Sequence, residues 1–167
     1  AAGTEQGIAA MLVYLVIYVS MTLGSFIVLL QLKGRDGDNK ESLADIAGLS
    51  KTRPALAATF AIFMFSLAGI PPLFGFWGKL VVFDAAVAAG LFPLAVIGIA
   101  ASVIGAYYYL KVVKVMYFDE AVDTIAETDD KTLVWTGGLM ALVNSPIGYL
   151  SIPILGLLSA QAAKALF

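Results

Sequence analysis

The sequence predicts an all-α fold, a polytopic bundle of four membrane-spanning helices. Of the 167 residues, 60% are apolar and 13% are charged, whereas an average soluble domain has about 45–50% apolar and about 25% charged residues. The mean hydropathy is +0.92. Long runs without a charge recur along the chain, and each exceeds the roughly 20 apolar residues that cross a hydrocarbon core of about 30 Å.

Four hydrophobic segments define the predicted spans, which form a single transmembrane domain over residues 1–167. The segments cover residues 7–32, 54–89, 91–118 and 132–163. Charged loops follow the first and the third of them. Because so small a bundle with a polar interruption would be poorly self-sufficient, we expect the chain to be a fragment of a larger membrane subunit.

The second segment is too long for one straight helix. Its 36 residues would rise about 54 Å, more than even a tilted span accommodates. The sequence Gly69-Ile70-Pro71-Pro72 predicts the break, since proline has no N–H and the carbonyls of Leu67 and Ala68 therefore lose their helical donors. Two interpretations follow: one span that is discontinuous at 69–72, or a tight hairpin of two short spans.

The distribution of basic residues favours the discontinuous span. With one discontinuous span, both charged loops lie on the same side of the membrane, as the positive-inside rule prefers. Lys164 alone then lies opposite the eight basic residues of that side: Lys33, Arg35, Lys40, Lys51, Arg53, Lys111, Lys114 and Lys131. The hairpin would divide these residues between the two sides.

Glycine and proline residues mark helix boundaries in the last two segments. Gly90 precedes the third segment and Pro93 lies in its first turn, so the two residues mark a turn and a helix start. Pro146 and Pro153 interrupt the fourth, and we expect Asn144-Ser145-Pro146 to kink it.

The composition excludes several classes of function. The chain has neither Cys nor His, which excludes disulfides, thiolate and imidazole metal sites, and Ser-His or Cys-His catalysis. A net charge of −2 argues against binding to nucleic acid, which requires a basic surface. We therefore expect no metal, redox centre or cofactor on this chain and no nucleic-acid partner.

Lys79 is the candidate functional residue. An ionisable side chain inside a membrane segment costs at least about 2.5–3.5 kcal/mol on insertion scales and marks a functional site by default. Lys79 follows the break by two turns, near the start of a second half-helix, where the helix dipole and burial both disfavour the ammonium. Such a lysine can exchange a proton near neutral pH. The alternative is a lysine that only reaches the membrane surface along its helix.

Other polar residues have simpler interpretations. Asp84 lies off the i+3/i+4 face of Lys79 and is interpreted as a solvated interfacial residue. Small residues at helical spacing in the third segment predict close helix packing: Gly98, Ser102 and Gly105. Polar residues on the first two segments either line a hydrated path or bond their own helix: Tyr14, Tyr18, Thr22, Ser25, Thr59 and Ser66.

Residues 66–79, SLAGIPPLFGFWGK, resemble the broken twelfth helix of the subunit N family of respiratory NADH-quinone oxidoreductase, complex I. Its mitochondrial members are NADH dehydrogenase subunit 2. The flanking sequences YVSMTLGSF at 18–26 and YYYLKVVKVMYF at 107–118 are similar to the same family. The resemblance covers essentially the whole chain, which looks like the last four helices of that subunit. Subunits M and L and the multisubunit antiporters carry looser versions of the break.

The resemblance implies proton translocation coupled at a distance to quinone reduction. It implies that this chain binds no cofactor, with FMN, iron–sulfur clusters and quinone on other subunits. Its partners would be the other membrane-arm subunits, the lipid bilayer and protons, in a bacterial inner membrane or, alternatively, the mitochondrial one. The family lysine matching Lys79 belongs to a chain of buried Lys and Glu residues, whose other members have no position here. A cation/proton antiporter subunit and a non-catalytic membrane scaffold are the alternatives.

Overall fold

The computed structural model describes residues 3–34, 37–121, 125–126 and 130–166, and this part of the chain is all-helical. The predicted all-α class is confirmed. The α-helices are α1 Glu5–Leu29, α2 Leu49–Thr52, α3 Pro54–Ala68, α4 Phe74–Ala88, α5 Phe92–Phe118, α6 Lys131–Asn144 and α7 Ile152–Lys164. Short 3-10 helices cover Ala44–Ile46 and Pro146–Ser151.

Three helical segments are long and apolar enough to cross a membrane: Glu5–Leu29, Phe92–Phe118 and Pro146–Lys164. The Thr4 hydroxyl caps the first of them, accepting a hydrogen bond from the Gly7 N–H at 3.0 Å. Proline lies in the first turn of each of the other two, where its missing N–H costs no helical hydrogen bond.

The second predicted segment divides into α3 and α4, separated by residues 69–73. Gly69 ends α3 with a φ of +82°, a left-handed conformation that glycine adopts without steric cost. The N–H groups of Gly69 and Ile70 both donate to the Phe65 carbonyl. Pro71 and Pro72 follow directly, so the helical hydrogen-bond pattern stops where the sequence places the two prolines.

The fourth predicted segment, residues 132–163, is interrupted at its prolines, but it divides into separate helices where a kink was expected. Helix α6 ends at Asn144, the 3-10 helix Pro146–Ser151 follows, and α7 begins at Ile152. The Ser145 hydroxyl accepts from the Ile147 N–H at 3.2 Å and caps the 3-10 helix. Because proline fits the first turn of a helix without losing a bond, these prolines begin new helices instead of kinking an old one.

Helix α1 lies at the centre of the bundle and packs against α3, α4, α6 and α7, while α5 covers α3 and α4. The Phe63 ring of α3 is fully buried and lies directly on Gly24 of α1, where a Cβ would overlap it. A second buried cluster joins Ile17 and Met21 of α1 to Phe74 of α4. The interruption between α3 and α4 therefore lies against the central helix of the bundle.

The two charged loops meet at one end of the bundle. The Ala126 N–H donates to the Lys33 carbonyl at 2.8 Å, and Arg53 Nη1 donates to the Ala126 carbonyl at 2.7 Å. The Gly48 N–H donates to the Val115 carbonyl at 3.1 Å. The loop that follows α1 and the loop that follows α5 are thus held together.

Candidate functional site

Lys79 lies in the second turn of α4 and reaches back to the end of α3. Its Nζ donates to the Leu67 carbonyl at 2.8 Å, to the Ala68 carbonyl at 3.2 Å and to Ser102 Oγ of α5 at 2.7 Å. An ammonium group carries three donors. The three oxygen atoms therefore satisfy it completely, and three different helices contribute to the site.

The break supplies the two carbonyl acceptors. The residues four positions after Leu67 and Ala68 are Pro71 and Pro72, which have no N–H to donate. These are the carbonyls that the sequence predicts to be without helical donors. Lys79 takes the place of the two missing backbone groups.

The electrostatic setting of Lys79 differs from the prediction. The sequence places Lys79 at the positive N-terminal end of α4, where the helix dipole and burial both disfavour an ammonium. The Nζ atom also lies at the C-terminal end of α3, beside the two carbonyls that lack helical donors. The negative end of that helix stabilises the charged form. The sequence could not show this contribution, because it does not place a neighbouring helix beside the lysine.

Gly69 leaves room for the lysine. A Cβ at this position would lie 3.0 Å from Lys79 Cδ and 3.2 Å from Lys79 Nζ. The same residue has a positive φ, so a side chain here would strain the backbone as well as displace the ammonium.

Ser66 and Gly75 fix the position of α4 relative to α3. The Ser66 hydroxyl, fully buried, accepts from the Gly75 N–H at 2.9 Å and so caps α4. A Cβ on Gly75 would overlap the Ser66 carbonyl oxygen and crowd Met21 Sδ. The Tyr149 hydroxyl donates to the Leu73 carbonyl at 3.3 Å. The break is thus a packed, hydrogen-bonded joint.

Two cavities meet at Lys79. One, of about 370 Å³, lies between α1, α4 and α5 and is lined by Tyr14, Tyr18, Lys79, Ser102 and Tyr109 among others. The second, also about 370 Å³, includes Gly69, Phe76, Lys79 and Ser102 in its lining. Lys79 and Ser102 belong to the walls of both cavities, so the pair lies where the two spaces adjoin.

The small-residue face of α5 lines this space instead of packing closely along its length. Gly98 does lie against Phe83, where a Cβ would come within 2.8 Å of the ring. Ser102 accepts a hydrogen bond from Lys79, and a Cβ on Gly105 would meet open space. The sequence predicted this small-residue face but not that Ser102 is a partner of Lys79, because the two residues lie 23 positions apart along the chain.

Other polar residues singled out in the sequence bond their own helices or face solvent. Ser25 and Thr59 bond carbonyls of their own helices, at 2.8 and 2.9 Å. Asp84 is exposed. Within the described residues no carboxylate forms an ion pair with Lys79, so its ordered partners there are uncharged oxygen atoms.

Comparison with known proteins identifies a family. Residues 1–105 match the model of the family described as "NADH:quinone oxidoreductase/Mrp antiporter, TM". The NADH-quinone oxidoreductase subunit N of Rhizorhabdus wittichii is 57% identical, with all of this chain and 35% of the relative covered. That of Erythrobacter litoralis is 60% identical, with 100% and 34% covered. The chain spans about a third of the length of these relatives.

Two solved structures are similar in fold. Respiratory complex I from Thermus thermophilus with bound aureothin contains a chain with a TM-score of 0.72 and 30% identity, with 89% of this chain and 34% of that one covered. The Mrp complex from Dietzia sp. DQ12-45-1b gives a TM-score of 0.79 at 22% identity, over 97% and 38%. The second likeness concerns the fold alone.

Proposed function

Because this chain belongs to the NADH:quinone oxidoreductase/Mrp antiporter family of membrane subunits, we propose that it is part of the proton-translocating subunit N of an NADH:quinone oxidoreductase. The curated relatives named above carry that name. Its apolar helices and its family make it a multi-pass membrane protein. The observation that carries the functional proposal is the ammonium of Lys79 on two unpaired carbonyls, between two cavities.

In this proposal the chain crosses a bacterial inner membrane four times, as one transmembrane domain over residues 1–167. Helices α3 and α4 have 15 residues each and rise about 22 Å, less than the hydrocarbon core of about 30 Å. They therefore act together as one discontinuous span. The contact between the two charged loops supports this, since it keeps the basic residues on one side. A mitochondrial inner membrane is the alternative location.

Lys79 is the proton relay of the proposal. Non-helical backbone at membrane depth is tolerated only inside protein or beside a hydrated cavity, and the break here packs against α1 and lines a cavity. A proton arrives through one cavity, binds Lys79 Nζ and leaves through the other. A scaffold would place the ammonium at the lipid headgroups; the contacts with Leu67 and Ala68 argue against that alternative.

The electron-transfer chemistry belongs to other subunits in this proposal. FMN, iron–sulfur clusters and quinone are bound there, and this chain contributes a path for protons. Its partners are the other membrane-arm subunits, the surrounding lipid and the protons it carries.

Affinity purification of the full-length subunit from its native membrane tests the assignment. We expect an assembly that oxidises NADH, shows flavin absorption and gives iron–sulfur signals in electron paramagnetic resonance. An assembly without flavin or iron–sulfur signals that exchanges cations for protons in vesicles would support the antiporter alternative and contradict the proposal.

Cysteine labelling from each side of the membrane tests the four spans. This chain has no cysteine of its own, and the unsubstituted full-length protein treated with the same reagent measures the background labelling. Glu41→Cys and Glu120→Cys, both at exposed positions, should react from the same side, and Ala88→Cys from the opposite side. Labelling of Glu41→Cys and Glu120→Cys from opposite sides would instead establish the hairpin.

A further inference from the structure

We infer that Ser102 is a positioning residue that holds the Lys79 side chain in both its charged and its neutral state. This inference rests on the proposed function of Lys79 and assigns a second residue to the same site. Ser102 belongs to α5, so the site depends on a helix outside the broken one.

The three oxygen partners of Lys79 differ in what they can do. The carbonyls of Leu67 and Ala68 only accept hydrogen bonds, whereas a serine hydroxyl both accepts and donates. A charged lysine needs three acceptors, and a neutral amine needs two acceptors and one donor. Among the described partners of Nζ, Ser102 is the one that can change from acceptor to donor.

Each protonation state therefore keeps three hydrogen bonds. When Lys79 releases its proton, one N–H bond breaks, the proton passes to a water molecule in a cavity, and the electron pair stays on Nζ. The Ser102 hydroxyl then rotates and donates to that lone pair, while the two remaining N–H groups stay on the carbonyls. Uptake of a proton reverses these changes. No buried polar group is left without a partner at either stage, which would be costly.

The location of Ser102 fits this role. Its short Lys79 contact of 2.7 Å lies in the wall shared by the two cavities. The titratable side chains that line the cavity between α1, α4 and α5 with Lys79 are Tyr14 and Tyr18 of α1 and Tyr109 of α5. Proton exchange at Nζ is thus coupled to rotation of the Ser102 hydroxyl, at the point where the two cavities adjoin.

The test compares hydroxyl substitutions in the full-length subunit of the intact complex. Ser102→Ala should lower NADH-driven proton pumping in inverted membrane vesicles about tenfold, because a factor of ten corresponds to the loss of one hydrogen bond to the lysine. Because the bond to the charged ammonium is stronger than the bond to the neutral amine, its loss should also shift the pH dependence of pumping toward lower pH by about one pH unit. Ser102→Thr keeps the hydroxyl and should restore the rate and the pH profile. Thr59→Ala removes a hydroxyl that bonds only its own helix and serves as the matched control.

A double substitution separates this inference from the proposed function. If Ser102 acts through Lys79, then Lys79→Ala with Ser102→Ala should pump no worse than Lys79→Ala alone. An unshifted pH profile in Ser102→Ala, with pumping equal to that of Thr59→Ala, would overturn the role of Ser102 and leave the role of Lys79 standing. Normal pumping in Lys79→Ala would overturn the proposed function itself.

Discussion

Replacement of Lys79 by alanine in the full-length subunit should lower NADH-driven proton pumping at least about tenfold, since the alanine side chain cannot bind the proton that a general acid–base group transfers. The membrane insertion of the chain should be unaffected, because removing an intramembrane charge lowers the insertion cost. Proton pumping and NADH oxidation are measured together in inverted membrane vesicles that contain equal amounts of assembled complex.

Two further variants separate charge from proton exchange. Lys79→Arg keeps a positive charge but does not lose its proton at any relevant pH, so it should pump as poorly as Lys79→Ala. Lys164→Ala removes an exposed cation at the end of α7 and should pump normally. Unchanged pumping and unchanged coupled turnover in Lys79→Ala would contradict the relay.

The substitution Gly75→Ala should cause a large loss of stability. A Cβ at this position would overlap the Ser66 backbone carbonyl and crowd Met21 Sδ. A backbone group cannot move aside as a flexible side chain does, so α4 must shift away from α3 and strain the Ser66–Gly75 hydrogen bond. Overpacking of this kind costs about 1–3 kcal/mol of the free energy of unfolding. Thermal denaturation of the detergent-solubilised complex, followed by the amount of assembled subunit, measures the effect.

Gly138→Ala is the matched control for this change. Gly138 lies within α6, and a Cβ there meets open space. Alanine at an open helical position is favourable by about 0.5–1 kcal/mol relative to glycine. Equal thermal stability of the two variants would show that α3 and α4 are less tightly joined than the Ser66 contacts indicate.

The sequence predicts the interruption well because its cause is local. Two successive prolines remove two specific N–H groups, and the carbonyls of Leu67 and Ala68 lose their donors whatever the rest of the chain does. The sequence does not predict which group becomes the new donor to these carbonyls. Lys79 reaches those carbonyls only because the Ser66–Gly75 hydrogen bond sets α4 beside α3, and no local pattern contains that geometry.

Residues contributed by distant helices are likewise outside the reach of local reasoning. The spacing of Gly98, Ser102 and Gly105 correctly places them on one face of a helix, but not opposite Lys79. The same limit explains the last segment, where proline was expected to kink a helix. Ser145 caps the next turn instead, so two helices form with a 3-10 helix between them.

Chemical restoration of the amine is the most direct test of whether Lys79 works by exchanging a proton. Lys79→Cys in the full-length subunit can be alkylated with bromoethylamine, which rebuilds a lysine-like primary amine, or modified with a reagent that adds a permanent trimethylammonium charge. The unsubstituted complex treated with each reagent is the reference. We expect the primary amine to restore proton pumping and the trimethylammonium group to leave it low. Equal restoration by both groups would mean that a fixed charge is sufficient and would contradict the account.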